Sequence, residues 1–294
     1  MSRHNNFRGI VLMLFAVGLL SCMDAGLKQL SAHYPPLQVC ALRGMASLPF
    51  VALWAFWTVG MRALMRVRWT LHLVRGAVGV ATLTSFVYGL RFLPLTTAYT
   101  LFFVAPLIIT SLSALVLGEK VGAHRWAAIL AGFAGVLVAL RPTGEGALTW
   151  AGLAVLGAAV GYATSVVMVR VLGRTDSTQS MVFWVLVMMT LGSEVLALPD
   201  WVDVARGDWL LIAGVGLVGA LGQYGLTEAF ARAEASVIAP LEYTALAWGL
   251  GFDLALWGVL PDRVTWLGAA IIVLAGVYLM RRERRDGAEA QLQP

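Results

Sequence analysis

Ionisable side chains, Asp24, Lys28, Arg43 and Glu242 among them, interrupt stretches of sequence that are largely apolar. An ionisable group in such surroundings costs about 2.5 kcal/mol or more, so each calls for a partner or a task. Asp24 and Lys28 are spaced i,i+4, on one face if the segment is helical, where they can neutralise each other. Arg43 falls about 10 Å into the next apolar run, and Asp24 about 22 Å along its own, by the helical rise of about 1.5 Å per residue. That brings the two to similar depths. The group reads either as a structural cluster or as a gate or proton site. Glu242 stands about two turns into its run, just before Tyr243. Pro106 and Pro240 each remove a backbone donor near these residues, which makes them candidate hinges or ordinary kinks.

Aromatic and polar side chains gather at similar depths: Tyr88, with Thr84 and Ser85, then Tyr99, Phe103, Tyr162, Gln223, Tyr243 and Trp248. Rings carrying hydroxyls suit an amphipathic organic molecule, offering apolar area and a few directed hydrogen bonds. A bare inorganic ion would instead want rings of charge or carbonyls. Helix-to-helix packing is the competing reading for each residue taken singly.

The elements that hold these residues follow from composition. Of 294 residues, 60% are hydrophobic and 13% charged, and the mean hydropathy is +0.81, far from an ordinary soluble domain. Apolar runs span 9–30, 36–58, 71–91, 95–117, 123–140, 149–172, 179–198, 209–230, 236–258 and 264–280, most of them long enough to cross a bilayer core as helices. The expectation is an all-α integral membrane protein with ten transmembrane helices. The first run carries Asp24 and Lys28 where a leader peptide would have a cleavage site, so it reads as an uncleaved span. Lys and Arg concentrate at alternate ends of the runs, as with Arg62, Arg66 and Arg68 or Arg281, Arg282, Arg284 and Arg285. The positive-inside rule then places both termini in the cytoplasm and the 199–208 loop outside.

The second half repeats the first. Trp126 and Gly118 recur as Trp266 and Gly258, each 140 positions on (266 − 126 and 258 − 118). Units of five crossings, an odd number, must be inserted in opposite senses, giving two inverted five-helix repeats over 1–146 and 147–281 and a basic, then polar, tail over 282–294. Inverted repeats supply carriers with two similar packings around a shared midplane site. The motion expected here is rocking of one five-helix repeat against the other.

The run Leu93-Pro94-Leu95-Thr96-Thr97-Ala98, continuing through Ala105-Pro106 to Leu117-Gly118-Glu119-Lys120, resembles the fourth helix and turn of the EamA domain of the drug/metabolite transporter superfamily. So does Trp126 with the small-residue run Ala131-Gly132-Phe133-Ala134-Gly135. A second copy lies in the residues from Ala235 to Thr244, then Gly258 to Asp262 and Trp266. Within the superfamily that copy looks most like the YddG-type exporters. The resemblance implies secondary transport by alternating access at the inner (plasma) membrane, with export of amino acids, aromatic ones among them, or of similar small metabolites. One departure stands out: Glu119 is matched by Val259, so a pair of symmetric glutamates is missing.

Several function classes are disfavoured. The four histidines fall at run ends or loops without metal-ligand spacing, and no phosphate-binding loop or nucleophile elbow is present. Neither a cofactor nor an enzymatic activity is expected. Cys22 and Cys40 lie inside apolar runs and read as small buried residues. Charge sits at run ends and not on a face, which argues against nucleic acid as a partner. The expected partners are a small-molecule substrate and the lipid bilayer. Carriers of nucleotide sugars or cationic drugs remain the alternative, with a membrane enzyme or receptor more distant.

Overall fold

The computed structural model describes residues 3–117, 123–140, 149–173, 175–232 and 239–292. The turn holding Gly118, Glu119 and Lys120, the 146/147 boundary, and residues 235–238 of the second motif lie outside them. The helices are α1 (Arg3–Ser31), α2 (Pro36–Met65), α3 (Trp69–Phe92), α4 (Leu95–Phe102), α5 (Ala105–Leu117), α6 (Ala123–Leu140), α7 (Trp150–Leu172), α8 (Thr178–Ala197), α9 (Trp209–Arg232), α10 (Ala245–Trp257) and α11 (Arg263–Leu292). No strand occurs among the described residues. Among the described residues seven helices, counting α4 and α5 as one, are long and apolar enough to cross a membrane.

Local chemistry sets the helix ends. Pro36 opens α2, where its missing N–H is no loss. The Thr149 side chain accepts a hydrogen bond from Gly152 N at 3.3 Å and the Ser177 side chain one from Ser180 N at 3.2 Å, capping α7 and α8. Gly258 closes α10 with φ 64°, in the left-handed region that a side chain would resist.

Helices occupy the apolar runs, with three differences from expectation. The fourth run breaks at Phe103 and Val104 into α4 and α5. The ninth begins as a 3-10 turn, Ala239–Thr244, and becomes α-helical at Ala245. Finally, α11 continues to Leu292 through most of the expected tail, whose Arg, Glu and Ala residues are strong helix formers.

Packing joins the two halves of the chain more than it consolidates either. The broadest contacts pair α1 with α9, α2 with α8, α3 with α7 and α6 with α11, and α4 meets α10. Numbering the ten helical segments in order and shifting each by five maps this pattern onto itself: first-to-eighth becomes sixth-to-third, and second-to-seventh returns to itself. Neither half is therefore a separate body, and rocking of one intact half against the other would part the largest interfaces. Close approach depends on small residues. A Cβ on Gly216 of α9 would run into the backbone of Ala46 on α2. Between the layers sits a core that includes Leu27, Leu42, Leu90, Leu95 and Leu101, each no more than 1% exposed. Outside, Trp57, Trp150 and Leu210 are exposed, an apolar exterior suited to lipid.

Candidate functional site

The two broken segments meet at their breaks. Phe103 follows the last residue of α4, and Pro106 in the first turn of α5 cannot donate to the Phe102 carbonyl, so the helix does not run through. Tyr243 lies in the 3-10 turn that precedes α10. The Phe103 and Tyr243 rings stand 5.0 Å apart, edge to face, and Tyr99 stacks on Phe103 at 6.2 Å. Both are favourable aromatic geometries. The Tyr99 hydroxyl donates to Asp24 Oδ2 at 2.9 Å, tying α4 to α1. Glycines admit both tyrosines: Gly249 lies against the Tyr99 ring and Gly276 against the Tyr243 hydroxyl, which is buried without a hydrogen-bond partner. Discontinuous helices meeting at a repeat interface are a recurrent carrier site.

Charge surrounds this cluster. Arg43 on α2 acts electrostatically on Asp24 without forming an ion pair, and its Nε points to Met23 Sδ at 3.2 Å. Lys28 does not pair with Asp24 as the i,i+4 spacing allowed. Its Nζ donates to the Leu90 carbonyl at 3.0 Å and to the Leu93 carbonyl, at the C-terminal end of α3. It also lies 5.1 Å from the Trp257 ring and within the field of Asp253.

Asp253 is the residue that reading the sequence missed. Fully buried on α10, it accepts from Leu95 N at 2.9 Å, Thr96 N at 2.8 Å and Thr96 Oγ1 at 2.9 Å. A carboxylate thus caps the N-terminus of α4, where orphan N–H groups and the helix dipole favour negative charge. The only signal in the sequence is an acid inside the ninth apolar run.

Other candidates lie further off. Tyr162 packs on Phe102 at 5.4 Å, and Glu242 acts electrostatically on Tyr162 and Tyr243, which puts both at the edge of the cluster. Tyr88 packs on Phe92 and lines a groove of about 670 Å³ with Thr84, Ser85, Trp150 and Asp200. Thr84 of that lining has its Oγ1 3.8 Å from Cys40 Sγ, one turn before Arg43. Gln223 lines a smaller groove of about 160 Å³ with Trp54 and Tyr224. Trp248, in the first turn of α10, stacks on Phe252 and touches Gly18 of α1. Pro106 sits at the first break and Pro240 within the 3-10 turn. No group of metal-ligating side chains occurs among the described residues.

Both ends of the bundle are latched between loops and helix starts. At one end His72 Nε2 meets Asp176 Oδ2 at 2.9 Å, with the Arg68 amide donating to the same oxygen and Thr175 Oγ1 to the other. Burial alone would raise the Asp176 pKa, but these bonds prevail and hold it below the usual carboxylate value. At the other end the Tyr34 hydroxyl donates to Asp208 Oδ2 at 2.6 Å and accepts from Ala205 N at 3.0 Å. The bond to Asp208, aided by burial, raises the Tyr34 pKa against the opposing pull of the Ala205 amide.

Comparison with known proteins follows the same lines. The model of the EamA-like transporter family matches twice, over residues 7–141 and 149–282. The chain is 32% identical over 290 residues to a riboflavin transporter of Vibrio cholerae serotype O1, covering 96% of each chain. It is 28% identical over 277 residues to a pseudopaline exporter of Pseudomonas aeruginosa, covering 94% of this chain and 97% of the relative. A crystal structure of a protein 20% identical in sequence superposes with a TM-score of 0.65, covering 94% of this chain and 98% of the other, a likeness of fold.

Proposed function

The chain belongs to the EamA-like transporter family, and on that premise we propose that it is a ten-span secondary carrier that moves a small amphipathic metabolite with a planar aromatic part by alternating access. The single observation that carries the substrate class is the meeting of Phe103 and Tyr243, one aromatic ring from each half, at two helix breaks beside the Asp24–Tyr99 hydrogen bond. A flavin and an aromatic amino acid both fit that description. The riboflavin transporter among the relatives supports the first, and the resemblance to YddG-type exporters supports the second. Export, in the sense of the pseudopaline relative, is the direction we assign.

In this reading residues 1–146 and 147–281 are inverted repeats, the protein lies in the inner membrane, and both termini are cytoplasmic. The moving parts are redrawn from the packing. The packing pairs α1 with α9, α2 with α8 and α3 with α7, so each tightly packed unit mixes both repeats. The larger groove opens at the end bearing the 199–208 loop, and the smaller one lies between α2, α8 and α9. That asymmetry supports a conformer open to the outside.

Reconstitution in liposomes tests the proposal. At least one of riboflavin and tryptophan should be taken up saturably and be competed by its close analogues, whereas a quaternary cation should not compete. Competition by the cation alone would assign the site to the alternative class.

A further inference from the structure

Arg43 is a guanidinium inside an apolar helix with one polar contact, from Nε to the Met23 sulfur. Asp24 uses one carboxylate oxygen for the Tyr99 hydroxyl and leaves the other without a donor among the described residues. The two groups attract each other yet form no ion pair. Both residues are half-buried, and none of their spare atoms is among the buried polar atoms left without partners. The remaining charges nearby are engaged elsewhere. Lys28 holds the end of α3, Asp253 caps α4, and Glu242 acts electrostatically on Tyr162 and Tyr243. Opposite charges held apart inside a membrane lose their hydration without gaining contact, which is a poor arrangement for packing alone. It is a good one for binding a group that completes both.

We infer that Arg43 and Asp24 together bind the polar head of the substrate, a head presenting a hydrogen-bond acceptor beside a donor. This rests on the carrier reading above. The arrangement fits an α-amino acid, whose carboxylate faces Arg43 and whose ammonium faces Asp24. It equally fits the imide edge of a flavin, whose ring carbonyl accepts from Arg43 and whose ring N–H donates to Asp24. The larger groove reaches Thr84, which packs on Cys40 one turn from Arg43. The aromatic part of the ligand then lies on Tyr99, Phe103 and Tyr243.

Binding to the purified protein tests this with tryptophan, its methyl ester and its N-acetyl derivative, and with riboflavin and N3-methylriboflavin. For whichever scaffold binds, masking the head should weaken binding to the native protein by roughly ten- to a hundredfold, the range for hydrogen bonds to charged groups. The ester's penalty should vanish in Arg43→Gln and persist in Arg43→Lys. The penalty for the N-acetyl or N3-methyl group should vanish in Asp24→Asn. Unfolded variants would be recognised by their elution in size exclusion, and Arg43→Lys keeps the charge in place. Equal binding of masked and free heads, or an equal loss for both in Arg43→Gln, overturns the assignment and leaves the carrier reading intact. If neither scaffold binds and neither is transported, both fall together.

Discussion

Asp253 holds Thr96 twice, through its amide and its hydroxyl, from a helix 157 positions further along the chain. Because Thr96 and Tyr99 share the short helix α4, the cap fixes the platform on which the aromatic cluster is built. Removing the carboxylate leaves three donors without a partner. Asp253→Ala should therefore lower stability by about 3 kcal/mol, at the upper end for charged hydrogen bonds, and Asp253→Asn by less. Melting temperature in detergent is the readout. Unchanged melting for Asp253→Ala would show that α4 needs no cap.

Lys28 and Asp253 act on the two sides of one turn, the cation at the end of α3 and the anion at the start of α4. Each matches the helix dipole it faces. The double variant Lys28→Met/Asp253→Asn should then lose less stability than the two single losses added together, since the groups share a field. Strict additivity in this cycle would separate them.

Tyr243 offers the site its ring more than its hydroxyl, which has no hydrogen-bond partner and rests on Gly276. Tyr243→Phe should leave apparent affinity close to native. Tyr243→Ala should weaken it roughly three- to tenfold, from about 0.5–1.5 kcal/mol of aromatic pairing and the area lost with it. Gly276→Ala, by pushing the ring aside, should resemble Tyr243→Ala. A large loss in Tyr243→Phe would mean that the hydroxyl binds substrate.

Much of this architecture was legible in the sequence because hydropathy and proline placement act locally. The helix limits follow the apolar runs, and the breaks at Phe103 and Thr244 fall beside Pro106 and in the turn holding Pro240. Phe103 and Tyr243, which the fold brings together, stand 140 positions apart (243 − 103), the offset that also separates Trp126 from Trp266. What spacing could not supply was the partner of each charge. Lys28 stands i,i+4 from Asp24, yet prefers two carbonyls whose helical bonds end with α3. Asp253 bonds to backbone amides, which look alike at every position of a sequence, so nothing but the folded chain identifies Leu95 and Thr96 as its partners. Tyr88 and Gln223 share the composition of the cluster but line the two grooves, a placement that spacing does not supply.

Asp176 should make the fold sensitive to acid. Its pKa is lowered in the folded state, so its contribution is present above the unfolded value of about 3.9 and is lost as pH falls through the lower folded value. Melting temperature measured from neutral into that acidic range should drop, and Asp176→Asn should flatten the drop while lowering the neutral value. An identical acid profile in the variant would assign the sensitivity to other groups.

The central claim is that substrate binds where the two broken helices meet and is carried across the membrane from there. Solute exchange in liposomes holding the purified protein tests it most directly, with labelled riboflavin or tryptophan on one side and unlabelled compound on the other. The account predicts saturable exchange of at least one of them by the native protein, with apparent affinity weakened roughly three- to tenfold by Tyr243→Ala and nearly unchanged by Tyr243→Phe, at equal reconstituted amounts. Native-like exchange by Tyr243→Ala, or no exchange of either compound by the native protein, would contradict it.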